Sequence, residues 1–244
     1  MFLEANLNKF YLKVCLHALA GLVLLAASAC WADTLVLVTS QGALGANDSI
    51  NWSQLGPSGT TLGSSFSGIH SANGALVSGS FTASGSCVLS VGPTPPGGCG
   101  WVPSPGFFNS GEAGIQTFDG NNGTGPLTLT FGGSFTGFGI AIQDDDVFPY
   151  TAFLTALNGN VPVGSVFESS NGSGDAIFIG FSDLTGTITG VQIGLSACPG
   201  CQDSKDFGVA TGYLVSQTPE PSSLAMLGTG ILALGGFIRR RIVR

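Results

Sequence analysis

Asp144-Asp145-Asp146 is the densest run of charge in the body of the chain. Adjacent carboxylates offer the hard oxygen ligands that Ca²⁺ prefers. Strand alternation predicts Asp144 and Asp146 on one face and Asp145 on the other. The spacing is not that of an EF-hand loop, so a solvated strand end competes with a calcium site. Asp175, Asp203 and Asp206 are the further donors such a site would draw on. Acid–base catalysis has little to work with: His70 is the one histidine and Lys205 the one lysine between the two termini. The alternatives are carboxylate pairs such as Glu112 with Asp119, the equipment of a glycoside-active enzyme. No catalytic residue stands out, and a non-enzymatic protein is expected.

Cys87, Cys99, Cys198 and Cys201 form a second constellation. An even number of cysteines predicts disulfides wherever a chain is carried into an oxidising compartment. Three pairings are open; Cys87 with Cys99 would close a Pro/Gly loop, and Cys198 with Cys201 would close Cys-Pro-Gly-Cys. That last motif also has redox spacing, but such chemistry sits at a helix N-terminus in a βαβ setting that this sequence does not suggest. A zinc site built from the four thiolates is the remaining reading. Aromatic rings at loop-like positions, Trp52, Trp101 and Phe107-Phe108, are candidates for stacking on sugar faces. Most of the 17 phenylalanines belong to a core.

The two ends of the chain say where these residues are carried. Lys9 and Lys13 precede an apolar run, Val14 to Ala27, followed by small residues. This is the three-part pattern of a secretory signal peptide over residues 1–32, with cleavage after Ala32 preferred to cleavage after Ala29. Acylation of Cys30 is a weaker alternative. At the other end Pro219-Glu220-Pro221 leads into an apolar stretch, 222–238, and then Arg239, Arg240 and Arg241. Seventeen residues are the short end of a transmembrane helix. The arginines form a membrane stop that stays cytoplasmic, placing everything upstream outside that membrane. From Asp33 to Ile238, 13 carboxylates stand against Lys205 alone, leaving a charge of −12. Such a surface repels phosphate backbones, so no nucleic-acid partner is expected.

The order of Pro219-Glu220-Pro221, a Gly-containing apolar stretch and a terminal Arg cluster resembles the PEP-CTERM sorting signal of Gram-negative bacteria. The resemblance implies an exosortase-type sorting enzyme as partner and transit through the inner membrane. It also implies cleavage near the motif and delivery to the cell surface or extracellular matrix, often alongside exopolysaccharide. It covers about a tenth of the chain, residues 219–244, and leaves residues 33–218 to be read on their own.

Those residues suffice for one domain. Their short β-type runs predict strands near Thr34–Thr39, Ala75–Thr82, Leu127–Phe131, Phe135–Ile142, Thr151–Leu157, Val161–Phe167, Ala176–Phe181, Thr187–Leu195 and Phe207–Val215. Asn158-Gly159 is the signature of a tight hairpin. Asn171-Gly172-Ser173-Gly174-Asp175 and Asn121-Asn122-Gly123 read as loops. Gly92 to Gly106 holds five prolines and cannot ladder regularly. The fold expected is all-β, a single β-sandwich. Residues 135–215 loosely resemble the jelly-roll-like domains found before this sorting signal, in a pattern that runs from Phe138-Gly139-Ile140 to Asp206-Phe207-Gly208. Two functions follow as expectations. One is a non-enzymatic surface protein associated with exopolysaccharide; the other is a carbohydrate-binding module, calcium-dependent if the aspartates serve.

Replacing Arg239, Arg240 and Arg241 together by glutamine is expected to impair retention or orientation in the membrane. Unchanged topology in a protease-accessibility assay would count against the stop.

Overall fold

The computed structural model describes residues 35–82, 85–90, 113–118, 126–145, 148–183, 188–199 and 206–216. The expected signal peptide, the Pro/Gly loop from Gly92 to Gly106 and the sorting segment lie outside them. Among the described residues no helix is long and apolar enough to cross a membrane, and the run 222–238 is not among these.

The protein is all-β. In chain order the strands are β1 (Val36–Val38), β2 (Asp48–Ile50), β3 (Thr61–Leu62), β4 (Ser65–His70), β5 (Leu76–Phe81), β6 (Gly85–Ser90) and β7 (Ala113–Phe118). They continue as β8 (Leu127–Asp144), β9 (Thr151–Asn158), β10 (Val161–Ser169), β11 (Ile177–Ser182), β12 (Ile188–Ala197) and β13 (Phe207–Ser216). A one-turn helix, α1 (Gln41–Leu44), is capped by the Ser40 hydroxyl, and a 3-10 turn covers Trp52–Leu55.

β8 organises the rest. Its first part, Leu127–Phe131, lies between β5 and β12, and its second part, from Phe135 onward, lies between β11 and β13. The sequence shows why one strand can serve two layers. Leu127, Leu129 and Phe131 point inward, as do Phe138, Ile140 and Ile142, so the buried parity changes from odd to even. Gly132-Gly133-Ser134, exposed between the two parts, absorbs the change. There β8 passes from Thr130 to Phe135 while β12 passes only from Gly190 to Ile188. A bulge of this kind bends the strand and re-aims its side chains. Two runs expected from the sequence as separate strands are thus one.

Two layers follow from this bend. One runs β4-β5-β8-β12-β9-β10. The other runs β1-β11-β8-β13, with β2 and β7 side by side along the far edge of β13 and then β6 and β3. Because both contain β8, the 13 strands form one hydrogen-bonded network in place of two separate sheets. The core collects Leu127, Leu154 and Val191 from the first layer with Ile115, Phe138, Phe181 and Phe207 from the second. The β9–β10 hairpin turns at Gly159, whose φ of 59° is the left-handed conformation that Asn-Gly was expected to supply.

Gly190 marks the tightest approach beside the bend: a Cβ there would lie 2.7 Å from the Leu129 carbonyl oxygen. Backbone cannot step aside as a flexible side chain can, so Gly190→Ala is expected to cost about 1–3 kcal/mol in urea unfolding. Gly172→Ala, with nothing within 4 Å, is the matched control and should change little.

Candidate functional site

The acidic end of β8 is a structural corner. Asp144 is fully buried, and its Oδ2 lies 3.5 Å from the Phe148 amide. Asp145 is half-buried and accepts from the Gln116 amide at 3.2 Å, while its backbone N–H donates to the Asp206 carbonyl at 3.1 Å. Asp175 accepts from the Asn171 side-chain amide at 2.6 Å, and Asn171 Oδ1 in turn accepts from the amides of Ser173 and Asp175. The expected Asn171–Asp175 loop is therefore a closed set of local hydrogen bonds. Asp146 and Asp203 lie outside the described residues. Among the described residues no three His, Cys, Asp or Glu side chains come together as a metal site. The expectation that Asp144 presents a ligand face meets a carboxylate with no exposed surface.

Tyr150 is the centre of this corner, and no motif or spacing singles it out. It is buried, and its hydroxyl is within 2.7 Å of the Ile142 carbonyl and 3.1 Å of the Asp175 carbonyl. Its backbone N–H donates to Ser170 Oγ at 2.9 Å. Burial pushes the phenol far above its ordinary pKa, and the nearby charges of Asp144 and Asp175 push the same way. It is a neutral donor that ties β8 to the loop before β11.

Trp52 corrects an expectation. Placed by its sequence in a loop as a ring for stacking on sugar, it is fully buried in the 3-10 turn. Its indole N–H donates to the Ala210 carbonyl on β13 at 2.6 Å, and Phe66 meets it edge-on at 6.0 Å. A large ring with one donor is well placed inside when that donor finds a carbonyl. Trp101 and Phe107-Phe108 lie outside the described residues. Cys87 and Cys198 are both buried and both disulfide-bonded, so neither is a free thiol or a zinc ligand. Cys99 and Cys201 lie outside the described residues, as do Glu112 and Asp119. His70 is exposed on β4, with Nδ1 3.3 Å from the Gly74 carbonyl. Its backbone is held at both polar groups by the Gln54 amide.

An open cleft of about 700 Å³ lies where the α1–β2 connection meets β13, lined by Gln41, Asn47, Asp48, Ser49 and Tyr213 among others. Asn47 holds this rim by accepting from the Ser216 amide at 2.8 Å and donating to the Ser216 carbonyl at 3.2 Å. Asp48 is buried; its Oδ1 accepts from the amides of Ser49 and Asn73, each at 2.8 Å, and its Oδ2 is buried without a hydrogen-bond partner. The cleft wall is thus polar and held rigid by Asn47 and Asp48. Sequence reasoning missed it, because isolated Asn and Asp in a turn-rich stretch read as turn formers.

The fold and these sites describe an all-β body without a recognisable reaction centre among the described residues, joined to a C-terminal address. The PEP-CTERM protein-sorting motif is matched at residues 217–241. The chain thus carries a PEP-CTERM sorting signal over about a tenth of its length. No curated protein matches it in sequence. Among solved structures it is similar to TmCBM61 in complex with β-1,4-galactotriose at 11% identity and a TM-score of 0.26, covering 58% of this chain and 84% of that one. It is also similar to a family 6 carbohydrate-binding module at 9% identity and a TM-score of 0.22, covering 75% of this chain and 94% of that one. A third is the enzymatically active domain of bacteriophage CBA120 tailspike protein 4, at 12% identity and a TM-score of 0.22, over 67% of this chain and 19% of that one.

The buried phenol gives a pH signature. Below the ordinary tyrosine pKa of 10.0 both folded and unfolded chains keep the proton, and Tyr150 adds no pH dependence. Above it the unfolded chain loses the proton and the folded chain keeps it, so stability falls by about 1.4 kcal/mol per pH unit. Tyr150→Phe should lower stability at neutral pH by about 1–3 kcal/mol and flatten this alkaline decline. Thermal midpoints between pH 8 and pH 11.5 would check both; an equally steep decline in the variant would count against this assignment.

Proposed function

We propose that this chain is a surface or matrix protein. In this reading it is exported, held at the inner membrane by its C-terminal segment, processed by an exosortase-type enzyme and released to the cell exterior, where its β-body associates with exopolysaccharide without catalysing a reaction. The observation that carries the reading is the sorting motif at residues 217–241. Its neighbouring chemistry agrees: a polar Pro-Glu-Pro, an apolar stretch and an arginine stop follow one another in the order that holds and then releases a chain at a membrane.

The body supports a binding or structural role. Among its described carboxylates, Asp48, Asp145 and Asp175 accept hydrogen bonds from backbone or amide groups that shape turns and strand ends. A general acid or base needs a side chain poised toward a substrate. Carboxylates committed to the fold in this way act as scaffold.

Intact mass of the protein from its native host, measured separately in membrane and extracellular fractions, tests the reading. The extracellular form should lack about the first 32 residues, as a cleaved signal peptide implies, and the stretch after Pro219. Glu220→Ala should accumulate in the membrane fraction with its C-terminus intact. A wild-type chain that keeps Arg244 in the membrane, or normal release of the Glu220→Ala variant, would overturn sorting at this motif.

A further inference from the structure

Pairing across the first layer brings six uncharged polar side chains into register. Ser65 lies opposite Ser80, Ser80 opposite Thr128, Thr128 opposite Gln192, Gln192 opposite Thr155, and Thr155 opposite Ser165. Each belongs to the alternate set of positions that points away from the core, since Phe66, Phe81, Leu127, Ile193, Leu154 and Val166 beside them are buried. At about 4.8 Å per strand the row is about 24 Å long.

We propose that this outer face, across β4-β5-β8-β12-β9-β10, is the contact surface for an extended, uncharged polysaccharide chain. The inference rests on the polysaccharide association proposed above and names the surface and the class of glycan.

Charge is the first argument. The segment from Asp33 to Ile238 carries −12, yet the positions flanking the row on this face, including Ser78, Thr130, Gly194 and Phe153, hold no carboxylate, lysine or arginine. A uronate-rich polymer would meet a repelling protein, and none of these positions on the face offers a lysine or arginine to receive it. A neutral one would not. A second copy of this chain would likewise bring like charge against like.

Hydrogen-bonding capacity is the second. A hydroxyl donates and accepts, as does a carboxamide through its two ends, and sugar hydroxyls have the same dual character. Ser65, Ser80, Thr128 and Gln192 make no side-chain hydrogen bond to another described residue, so these groups are available. Thr155 and Ser165 bond to each other at 2.8 Å and fix the far end of the row. The recurrence of one polar group per strand is close to the rise of one ring in an extended glycan.

An aromatic edge is the third. Phe167 on β10 is 55% exposed, two residues from Ser165 on the same face, and lies opposite Phe153. Gly194 faces Phe153 from β12 with no side chain, leaving the ring side of the face open. An amphipathic sugar ring can lay its apolar face on Phe167 while its hydroxyls reach the polar row.

The test is affinity electrophoresis of the full chain in detergent, through gels containing neutral polymers (β-1,4-galactan, xylan, hydroxyethylcellulose) or anionic ones (alginate, polygalacturonate). Retardation by at least one neutral polymer is expected. Gln192→Glu and Phe167→Ala should weaken it by roughly tenfold or more in Kd, with thermal midpoints confirming the fold. Val36→Ser, at an exposed position on the other layer, should leave it unchanged. Ser80→Asp repeats the charge test at an exposed position if Gln192→Glu does not fold. Retention by a neutral polymer that survives all three face variants overturns this surface and leaves the polysaccharide association standing. Retention by anionic polymers alone overturns the uncharged class in the same way. No retardation by any polymer overturns the association itself, and this inference with it.

Discussion

The structure depends on one strand being hydrogen-bonded along both edges in two different directions. β8 has four partners, and none of the layers closes without it. Backbone donors and acceptors buried at the centre of a sandwich must be paired, and here the pairing for both layers is drawn from one 18-residue segment. The bend is then fastened by rings from either side of it. Phe131 meets Phe135 edge-on at 5.1 Å and Phe138 at 5.8 Å. Apolar burial on this scale supplies about 1.5–3 kcal/mol per large side chain, so the bulge is held by the core it creates.

That arrangement separates the two polar regions of the body. Strand ends carry the carboxylates, and the strands' own ladders leave amides and carbonyls there for side chains to satisfy. Tyr150, Asn171 and Asn47 do this for the connections before β11 and beside β13. The flat surfaces between the ends are left to hydroxyls, amides and glycines. Charge is thereby kept at the rims, while the broad face of the first layer stays neutral. On the proposed reading, solubility and glycan contact fall to different parts of one fold.

Much of this was legible in the sequence where alternation was long and unbroken. β5, β9, β10, β11, β12 and β13 fall within a residue or two of the runs that predicted them, and Asn158-Gly159 named its hairpin. β2, β3, β4, β6 and β7 were missed: β2 and β3 are two or three residues long, serine and glycine make up half of β4 and of β6, and Gly114 interrupts β7. Ser65–His70 holds only Phe66 and Ile69 as apolar markers, and a glycine between them breaks the period. The expected runs Leu127–Phe131 and Phe135–Ile142 stop on either side of Gly132-Gly133, which bends one strand and does not end it. Trp52 misled for a related reason: polar neighbours suggested a loop at the surface, while the loop itself is folded under β13. Sequence pattern reports the immediate neighbours of a residue, and these errors all concern what the distant chain lays over it. The address was readable because its information is local, contained in consecutive residues.

β13 is the last described strand, ending at Ser216, and the sorting motif begins at residue 217. Through β13 the second half of β8 gains an edge, and through it β2 and β7 join the network. During synthesis β2, β7 and the second half of β8 therefore lack an edge partner until the piece of chain immediately ahead of the address arrives. Folding dominated by such distant pairings is slow. A chain arrested at the membrane by the segment that follows would be given that interval before release, so the anchor would serve as a timer as well as a tether.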